Sequence, residues 1–335
     1  MSVSISPDSS RLTGRVIRKN RGLYIVQSDN QLITCSVSNR LYKNLIYPTA
    51  DLSSNPHPRV QRVEEINQVD PIAIGDLVEY LPAAEETGLI QAVLPRRNQL
   101  ARKDYHGSFY KTHAFEQVLV ANIDQVVIVF AAAKPEPRWN LLDRYLVAAE
   151  SFGLQSIICL TKLDLIQPGA LDPTLNRYLE IGYPLLLTSA PTGQGIPEAR
   201  QALRSKVSVL MGKSGVGKTS LLNAIQPGLG QRVSEVGRGE IGKGRHTTTH
   251  LELFPLDGGG GLVDTPGMRE FDLWDIAPGD LALCFPEMRT YLGNCQFQSN
   301  CLHQKEPGCA IRQAVERGEI SAQRYASYQK LLADC

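Results

Sequence analysis

Long apolar runs are missing from this sequence: the longest, at 126–133, stops at Lys134, whereas a membrane-spanning helix needs about 20 apolar residues. The N-terminal segment lacks both the basic start and the apolar stretch of a secretory signal. Internal repeats are absent too, and the glycine run at 258–261 is the sole low-complexity tract. We therefore expect a cytoplasmic protein that does not associate with membranes.

An excess of charge of either sign is also missing, because 35 Lys and Arg side chains oppose 34 Asp and Glu side chains. This balance excludes a uniformly basic coat for nucleic acid, but it allows local patches. Basic residues cluster within 1–111 and again at 205–250. Such clusters attract phosphate backbones, although an ordinary solvated face has the same composition. The clusters of the first segment are Arg15, Arg18, Lys19 and Arg21, and Arg96, Arg97, Arg102, Lys103 and Lys111.

Cysteines number seven, an odd count that does not suggest a disulfide framework in a chain without a secretory signal. Four of them cluster within 26 residues, at 284, 295, 301 and 309, which favours a metal site in a reducing compartment. Hydrophobic residues make up 42% of the 335 positions and charged residues 21%, so the chain is neither disordered nor a coiled coil. Its length predicts two or three domains.

The hydrophobic pattern changes twice along the chain. Up to about residue 111 it consists of short alternating segments separated by turn residues, which predicts a small barrel or sandwich. From 112 to 275, continuous apolar runs at 126–130 and 156–160 flank a helical stripe at 141–149. Further strands are expected at 184–187, 207–211 and 262–263. Continuous apolar runs are typical of buried parallel strands, so we expect a doubly wound α/β domain here.

The last segment, 276–335, predicts helices around a Cys/His cluster. Ser321 can begin a final helix on which Tyr325, Tyr328, Leu331 and Leu332 form one stripe. We interpret that stripe as packing.

A phosphate-binding loop is predicted at 212–219, where GKSGVGKT matches GxxxxGK(S/T) between an expected strand and an expected helix. Its glycines let successive N–H groups face an anion, and the helix start adds a positive dipole. We expect Lys218 to reach the β and γ phosphates and Thr219 to ligate Mg²⁺. The residues expected to contact the nucleotide are Gly212, Lys213, Ser214, Gly215, Val216, Gly217, Lys218, Thr219 and Ser220.

A second nucleotide motif, DTPG, follows another expected strand at 264–267. Asp264 can hold a Mg²⁺-bound water, and the N–H of Gly267 can contact the γ phosphate. The string is common by itself, but its position 45 residues beyond Thr219 supports a triphosphate site.

The string TKLD, at 161–164, indicates which base is bound. The carboxylate of Asp164 can accept from N1–H and the exocyclic amine of guanine, a donor pair that adenine lacks. The stem of Lys162 would cover the base, and the hydroxyl of Thr161 can donate to N7. After the next strand, Ser189 and Ala190 can offer a backbone N–H to guanine O6. Together with the phosphate loop, these residues predict GTP as the ligand.

These motifs resemble the nucleotide site of the translation-factor class of GTPases, but TKLD and the TSA string at 188–190 precede the phosphate loop. A parallel sheet tolerates such a circular permutation when the original termini lie close together. With the strings GRHTTT at 244–249 and DTPGMREF at 264–271, the chain resembles the ribosome small-subunit-dependent GTPase A family (RsgA or YjeQ) over essentially its whole length. It departs from that family in having Thr161 where Asn is usual and in a cysteine spacing that is one residue longer.

The resemblance implies three domains: an all-β OB-fold RNA-binding domain at 1–111, a circularly permuted α/β P-loop GTPase domain at 112–275, and a helical zinc-binding domain at 276–335. It also implies GTP hydrolysis in late maturation of the small ribosomal subunit, with that subunit and its rRNA as partners and with the subunit stimulating hydrolysis. We expect a monomer that binds the subunit tightly with GTP and leaves after hydrolysis.

The cysteine cluster predicts one structural zinc ion. Cys295, Cys301, His303 and Cys309 form C-x5-C-x-H-x5-C, and three thiolates with one imidazole complete a tetrahedral shell that has no place for water. The alternative is three buried free cysteines beside a surface histidine. Cys284 could replace one of the ligands.

Hydrolysis of GTP requires a positioned water, and Met268 stands where many such enzymes have a glutamine. We therefore expect slow turnover in the absence of a partner, and we expect His246 to supply the missing polar contact when a partner orders its segment. A phosphate-contacting role is the alternative for His246. One of Thr247, Thr248 and Thr249 should complete the Mg²⁺ shell, and we favour Thr248.

Three other functions stay open on the residues alone. A small-molecule or nucleoside kinase could use the same loop, but it would not explain TKLD. An RNA-binding scaffold could hold the nucleotide only for structure. A GTPase could also act on tRNA or on the large subunit.

Overall fold

The computed structural model describes residues 11–20, 22–29, 31–39, 41, 72–84, 86–104, 115–238, 251–264 and 276–334. These residues form two compact units. The first comprises the described residues up to Ile123 together with 251–254, and the second comprises those from Asp124 to Arg238 and from Pro255 onward. Among the helices in these ranges, none is both long and apolar enough to cross a membrane.

Five strands of the first unit close into a barrel in the order β1-β2-β3-β5-β4. Strand β1 pairs antiparallel with β2 and β4, and β3 runs parallel to β5. Alternate side chains fill the barrel, and Val16, Val26, Cys35, Val78 and Ile90 are fully buried. The small barrel expected from the alternating pattern is confirmed. The strands are β1 (Leu12–Asn20), β2 (Leu23–Ser28), β3 (Gln31–Val37), β4 (Leu77–Pro82) and β5 (Thr87–Val93).

An antiparallel hairpin, β6 (Gln99–Asp104) and β7 (Phe115–Ala121), completes the first unit. The sequence pattern did not reveal it as a separate element. Its small core contains Val118 and Ala121 together with Ala73.

Two residues of the predicted basic clusters are neutralised inside the first unit. Arg96 donates to both carboxylate oxygens of the fully buried Asp76, at 2.7 and 2.8 Å, and Arg18 forms an ion pair with Glu252. The net positive charge of these clusters is therefore smaller than the sequence indicates. Arg21 and Lys111, which belong to the same clusters, lie outside the described residues.

A six-stranded sheet has the order β10-β9-β8-β11-β13-β12, and every one of its strands except β12 lies wholly within the second unit. Strands β8 and β9 are buried along their whole length, as their continuous apolar runs predicted. The pairs β8–β9, β9–β10, β8–β11 and β11–β13 are all parallel. The short edge strand β12 was not expected from the pattern. The strands are β8 (Gln125–Ala131), β9 (Ser156–Thr161), β10 (Leu185–Leu187), β11 (Lys206–Met211), β12 (Leu253–Pro255) and β13 (Gly260–Asp264).

Helices alternate with these strands along the chain, which confirms the α/β prediction. The first carries the predicted stripe, with Leu142, Tyr145, Leu146 and Ala149 buried. The helices are α1 (Trp139–Ser151), α2 (Asp172–Ile181), α3 (Ile196–Leu203), α4 (Lys218–Ile225) and α5 (Leu229–Arg238).

The C-terminal part of the second unit has short 3₁₀ turns at Leu281–Cys284, Pro286–Tyr291 and Gln298–Asn300, and the helices α6 (Ala310–Glu316) and α7 (Ala322–Asp334). Its core includes Phe285, Ile311 and Tyr328 and extends to Val147 of α1. Helix α7 buries Tyr328, Leu331 and Leu332 as predicted, and Tyr325 packs partly against the same core.

A buried arginine joins the C-terminal helices to α1. Arg324 of α7 bonds to Asp143 of α1 at 2.6 Å and to Glu287 at 2.7 Å. Its guanidinium lies 4.6 Å from the ring centroid of Phe285. Tyr178 of α2 donates to the same oxygen of Asp143 at 2.9 Å. Four segments of the chain thus meet at one nearly inaccessible cation.

Substituting Arg324→Ala should lower the free energy of unfolding by about 3–5 kcal/mol, because it leaves Asp143 and Glu287 without their counter-charge in a buried site. The matched control is Arg317→Ala, since Arg317 pairs with Glu319 at 2.7 Å on the exposed surface, where solvent screens such a pair and its loss changes stability little. Urea unfolding followed by circular dichroism measures both changes. Equal losses in the two variants would contradict a structural role for the buried network.

Candidate functional site

The predicted nucleotide motifs lie together at the carboxyl ends of the parallel strands in the second unit. Because β8, β9, β10, β11 and β13 are parallel, their carboxyl ends lie on the same side. Strand β9 ends at Thr161, β11 ends at Met211 directly before the phosphate loop, and β13 ends at Asp264. The sheet order, and not the chain order, therefore determines which motifs become neighbours.

The phosphate loop turns sharply between β11 and α4 because its glycines allow backbone angles that other residues avoid. Gly212 has φ of +153°, and a Cβ there would lie 2.5 Å from the carbonyl oxygen of Val129. Gly215 and Gly217 also have positive φ, at +81° and +96°. Helix α4 then begins at Lys218, so the helix start points into the loop.

The side chain of Lys218 folds back onto the phosphate loop. Its Nζ donates to the carbonyl oxygens of Gly212 at 2.5 Å and Lys213 at 3.0 Å. Burial lowers the pKa of Lys218, and the carboxylate of Asp264 opposes that shift. The ammonium group thus lies between the loop and the end of β13, where it can form charge-assisted hydrogen bonds with the phosphates of a bound nucleotide.

The end of β9 contacts the phosphate loop directly. Lys162 donates through Nζ to the carbonyl oxygen of Gly215 at 2.6 Å and also to that of Lys134. The buried hydroxyl of Thr161 lies against two carbonyl oxygens, of Phe130 at 3.2 Å and of Val216. Its single proton is therefore directed to the backbone, and not to N7 of the base as the sequence indicated. A Cβ on Gly217 would lie 3.2 Å from that hydroxyl. Two motifs more than 50 residues apart in the chain are therefore in contact.

Asp164 is exposed, and Ser189 orients it. The buried hydroxyl of Ser189 donates to Oδ1 of Asp164 at 2.5 Å. The N–H of Ser189, which the sequence offered as a base contact, donates instead to the carbonyl oxygen of Gln194 at 2.9 Å, and that of Thr188 donates to Leu160 at 2.7 Å. The sequence reasoning missed this role of the Ser189 hydroxyl, because no local pattern links position 189 to position 164.

Three predicted site residues cannot be placed. His246 and Thr248, and also Gly267, lie outside the described residues, as do Thr247 and Thr249. Of the predicted magnesium ligands, Thr219 is described, and its hydroxyl lies 3.3 Å from that of Ser234 on α5.

The four predicted metal ligands converge in the C-terminal part of the second unit. All four side chains of Cys295, Cys301, His303 and Cys309 are buried, and their ligand atoms lie within 4.8 Å of one another. The Nδ1 of His303 is 3.5 Å from Sγ of Cys295 and 3.4 Å from Sγ of Cys309. Cys284 is buried but does not belong to this group.

The chemistry of this donor set fits Zn²⁺. Burial raises the pKa of the Cys301 thiol to about 12, so thiolates at this place need a divalent cation to balance their charge. Burial also lowers the pKa of His303, and Glu306 opposes that shift; a neutral imidazole is the form that binds metal. Three sulfurs and one nitrogen are a complete tetrahedral set.

Backbone contacts hold the loop that carries His303. The carboxylate of Glu306 accepts from the N–H groups of Leu302, Gln304 and Lys305 at 2.7 to 2.9 Å. Tyr325 donates to the carbonyl oxygen of His303 at 2.6 Å.

Tyr328 donates to the carbonyl oxygen of Leu302 at 2.9 Å, next to the ligand. The stripe of α7 therefore does more than the packing that the sequence indicated: it also anchors the metal loop. The helical spacing of the two tyrosines was visible, but their hydroxyl partners were not.

Comparison with known proteins gives a consistent result. The family model described as RsgA GTPase matches residues 93–274. A Small ribosomal subunit biogenesis GTPase RsgA from Gemmatimonas aurantiaca is 45% identical over 262 residues, which are 78% of this chain and 83% of that protein. Its counterpart from Pseudomonas aeruginosa is 45% identical over 265 residues, 78% of this chain and 75% of that protein.

Solved structures agree over nearly the whole chain. YjeQ from Thermotoga maritima matches with a TM-score of 0.72 and 32% identity, covering 97% of this chain and 98% of that one. YloQ, described as a circularly permuted GTPase, matches with a TM-score of 0.70 and 28% identity, covering 99% of this chain and 97% of that one. Since the family model spans more than half of the sequence and the relatives are 45% identical over 78% of it, the chain belongs to the RsgA GTPase family.

Proposed function

We propose that this chain is a GTP hydrolase that acts in late maturation of the small ribosomal subunit, with hydrolysis stimulated by the subunit and coupled to release from it. The observation that carries the proposal is the contact between Lys162 and Gly215, because it joins a base-recognition segment to a phosphate loop in one site. The subunit is proposed because the relatives are named Small ribosomal subunit biogenesis GTPase RsgA.

Guanine is read by Asp164 in this proposal. The Ser189 hydroxyl occupies one lone pair of Oδ1, and the carboxylate keeps enough acceptor sites for both N1–H and the exocyclic amine. The stem of Lys162 covers the base, and Thr161 braces the phosphate loop beneath it. Because the N–H groups of Thr188 and Ser189 are engaged, we assign the contact with guanine O6 to the N–H of Ala190.

The triphosphate lies in the phosphate loop, with Lys218 at the β and γ phosphates and the helix start of α4 below them. Thr219 and Thr248 hold Mg²⁺, Asp264 holds a water bound to it, and Gly267 contacts the γ phosphate. Magnesium supplies charge neutralisation at the transferred phosphate. His246 orients the attacking water when the subunit is bound, because Met268 cannot do so.

One zinc ion is held by Cys295, Cys301, His303 and Cys309 and gives this small module a fixed shape. The module follows Asp264 closely in the chain, and Arg324 ties it to α1. A change at the γ phosphate can therefore reach it over a short path.

The division into an OB-fold domain at 1–111, a GTPase domain at 112–275 and a zinc domain at 276–335 follows from the same proposal. In this proposal the barrel domain contacts rRNA through its basic residues. We also propose a cytoplasmic monomer, since the named role of the relatives is in ribosomal subunit biogenesis.

Substituting Asp164→Asn should weaken GTP binding about 100-fold and make xanthosine triphosphate the preferred ligand, because two hydrogen bonds to a charged acceptor are lost, at about 1.5 kcal/mol or more each. The matched control, Asp172→Asn, changes an acidic residue in the first turn of α2 and should leave both affinities unchanged. Fluorescence titrations with GTP, xanthosine triphosphate and ATP measure the three affinities. A variant that still prefers GTP would refute guanine recognition by Asp164.

Small ribosomal subunits should stimulate GTP hydrolysis by the wild-type chain, and large subunits should not. His246→Ala should lose about 100-fold of the stimulated rate, since positioned polar groups contribute about that much or more. His250→Ala, in the same stretch of sequence, is the matched control and should keep the stimulation. Phosphate release under single-turnover conditions measures each rate. Stimulation that persists in His246→Ala rejects the role of that residue, and an absence of stimulation in the wild type rejects the function.

The purified chain should contain about one zinc ion, and Cys301→Ser should lose it, because a serine hydroxyl does not replace a thiolate ligand. The melting temperature should fall with the metal, since binding of a structural zinc contributes folding energy. Cys284→Ser is the control, because Cys284 is buried but lies outside the ligand group. Zinc is measured by inductively coupled plasma mass spectrometry. Equal zinc content in the two variants would refute the ligand set.

A further inference from the structure

A cavity of about 380 Å³ opens in the second unit beside the start of α1. Three parts of the chain line it: the first turns of α1, the phosphate loop through Lys213, and one side of α7 that includes the exposed Lys330. We call it the α1–α7 pocket. Its volume is within the range of sites that hold small ligands, about 300–1,000 Å³. Of the predicted nucleotide contacts, Lys213 alone is among its lining residues.

The lining of the α1–α7 pocket is strongly basic. It includes four cationic residues and one carboxylate, namely Arg138, Arg144, Lys213, Lys330 and Asp334. Asp334 pairs with Arg144 at 2.9 Å, so the carboxylate is balanced by one cation and the charges of the other three are in excess. A concave surface with one sign of charge concentrates the field and attracts anions.

The start of α1 adds to this positive field. The helix has 13 residues, no side-chain cap at Arg138 and no acidic residue in its first turn. Nothing in its own first turn therefore offsets the partial positive charge of the helix start. The helix contributes to the site together with the three cations and does not define it alone.

The pocket also offers an aromatic surface. Trp139 is half-buried in its wall and packs against Tyr178, with ring centroids 6.1 Å apart. A flat indole close to several cations suits a chain of alternating bases and phosphates, because bases stack on aromatic rings while phosphates pair with cations. An acidic peptide would use the cations but would gain less from the ring.

We propose that the α1–α7 pocket binds the phosphodiester backbone of ribosomal RNA. The inference rests on the proposed function for the identity of the RNA, but none of the residues proposed to recognise the guanine base lines the pocket. It differs from the basic clusters of the first unit, where Arg18 and Arg96 are paired with carboxylates. Since Lys213 belongs to the phosphate loop and also lines the pocket, RNA bound there touches the loop that holds the nucleotide.

The test uses the full chain loaded with GDP and Mg²⁺, so that the nucleotide site is filled, and a fluorescein-labelled oligouridylate of about 12 nucleotides, which is within the range of lengths that single-strand-binding domains cover. The double variant Arg138→Gln/Lys330→Gln removes two cations of the pocket. The matched control Arg204→Gln/Arg232→Gln removes two exposed arginines elsewhere in the second unit. Circular dichroism melting curves establish that both are folded. Lys330→Gln alone, on the exposed side of α7, replaces the double variant if that one does not fold.

Fluorescence anisotropy is measured over a range of salt concentrations. The pocket variant should bind at least about ten-fold more weakly than the wild type, and its slope of log affinity against log salt should decrease in magnitude by about 1.4, or about 0.7 per lost phosphate contact on a single strand. The single variant should show about half of that change in slope. The control should match the wild type in both quantities.

Equal affinity and slope in the pocket variant and the control would overturn the proposal, and so would a wild type that binds no oligouridylate. Weaker binding to intact small subunits with unchanged binding to oligouridylate would point to an acidic protein segment instead and would also overturn it. The GTP hydrolysis assay with subunits distinguishes a failure of the pocket proposal from a failure of the proposed function. A loss of RNA binding in the pocket variant supports the pocket even if subunits fail to stimulate the wild type, and stimulation of the wild type supports the function even if the pocket variant binds normally.

Discussion

The hydrogen bond from Lys162 to the carbonyl oxygen of Gly215 is the contact on which the nucleotide site depends. Strands β9 and β11 are not neighbours, because β8 lies between them, and two strand spacings separate them by about 10 Å. A long side chain at the end of β9 can span that gap. Thr161 also bridges the gap, since its hydroxyl contacts the carbonyl oxygen of Phe130 near the end of β8 and that of Val216 in the phosphate loop. Thr161 thus braces the phosphate loop.

The same sheet explains why a rearranged order of motifs is tolerated. Hydrogen bonding between parallel strands determines which carboxyl ends are adjacent. This pairing does not depend on the order of the strands along the chain. The C-terminal part packs against α1, where Arg324, Asp143 and Glu287 form a buried ion network. Tyr328 packs against Phe285 in that core and also donates to the carbonyl oxygen of Leu302, next to His303. The same core therefore contacts both α1 and the loop that carries His303.

Charge is distributed differently from what the linear clusters indicate. In the barrel unit, Arg96 and Arg18 are paired with carboxylates that are distant in sequence. In the second unit, Arg138, Lys213 and Lys330 come from three separate segments and line one pocket. A run of basic residues in the sequence is thus a poor guide to an anion site, because the tertiary structure decides which cations are neutralised and which are brought together.

The sequence by itself determined most of the strand and helix pattern, the phosphate loop, the TKLD motif and the Cys/His spacing of the candidate metal site. These signals are local: alternation, apolar runs, glycine spacing and Cys/His spacing are all contained in short windows, and each predicts its element through backbone geometry or ligand chemistry. Only the tertiary structure decided that Ser189 orients Asp164, that two tyrosines of α7 hold the metal loop, and that Arg324 is a buried counter-ion. Those contacts join residues 22 to 181 positions apart, and side-chain pairing over such distances leaves no periodic mark in the sequence.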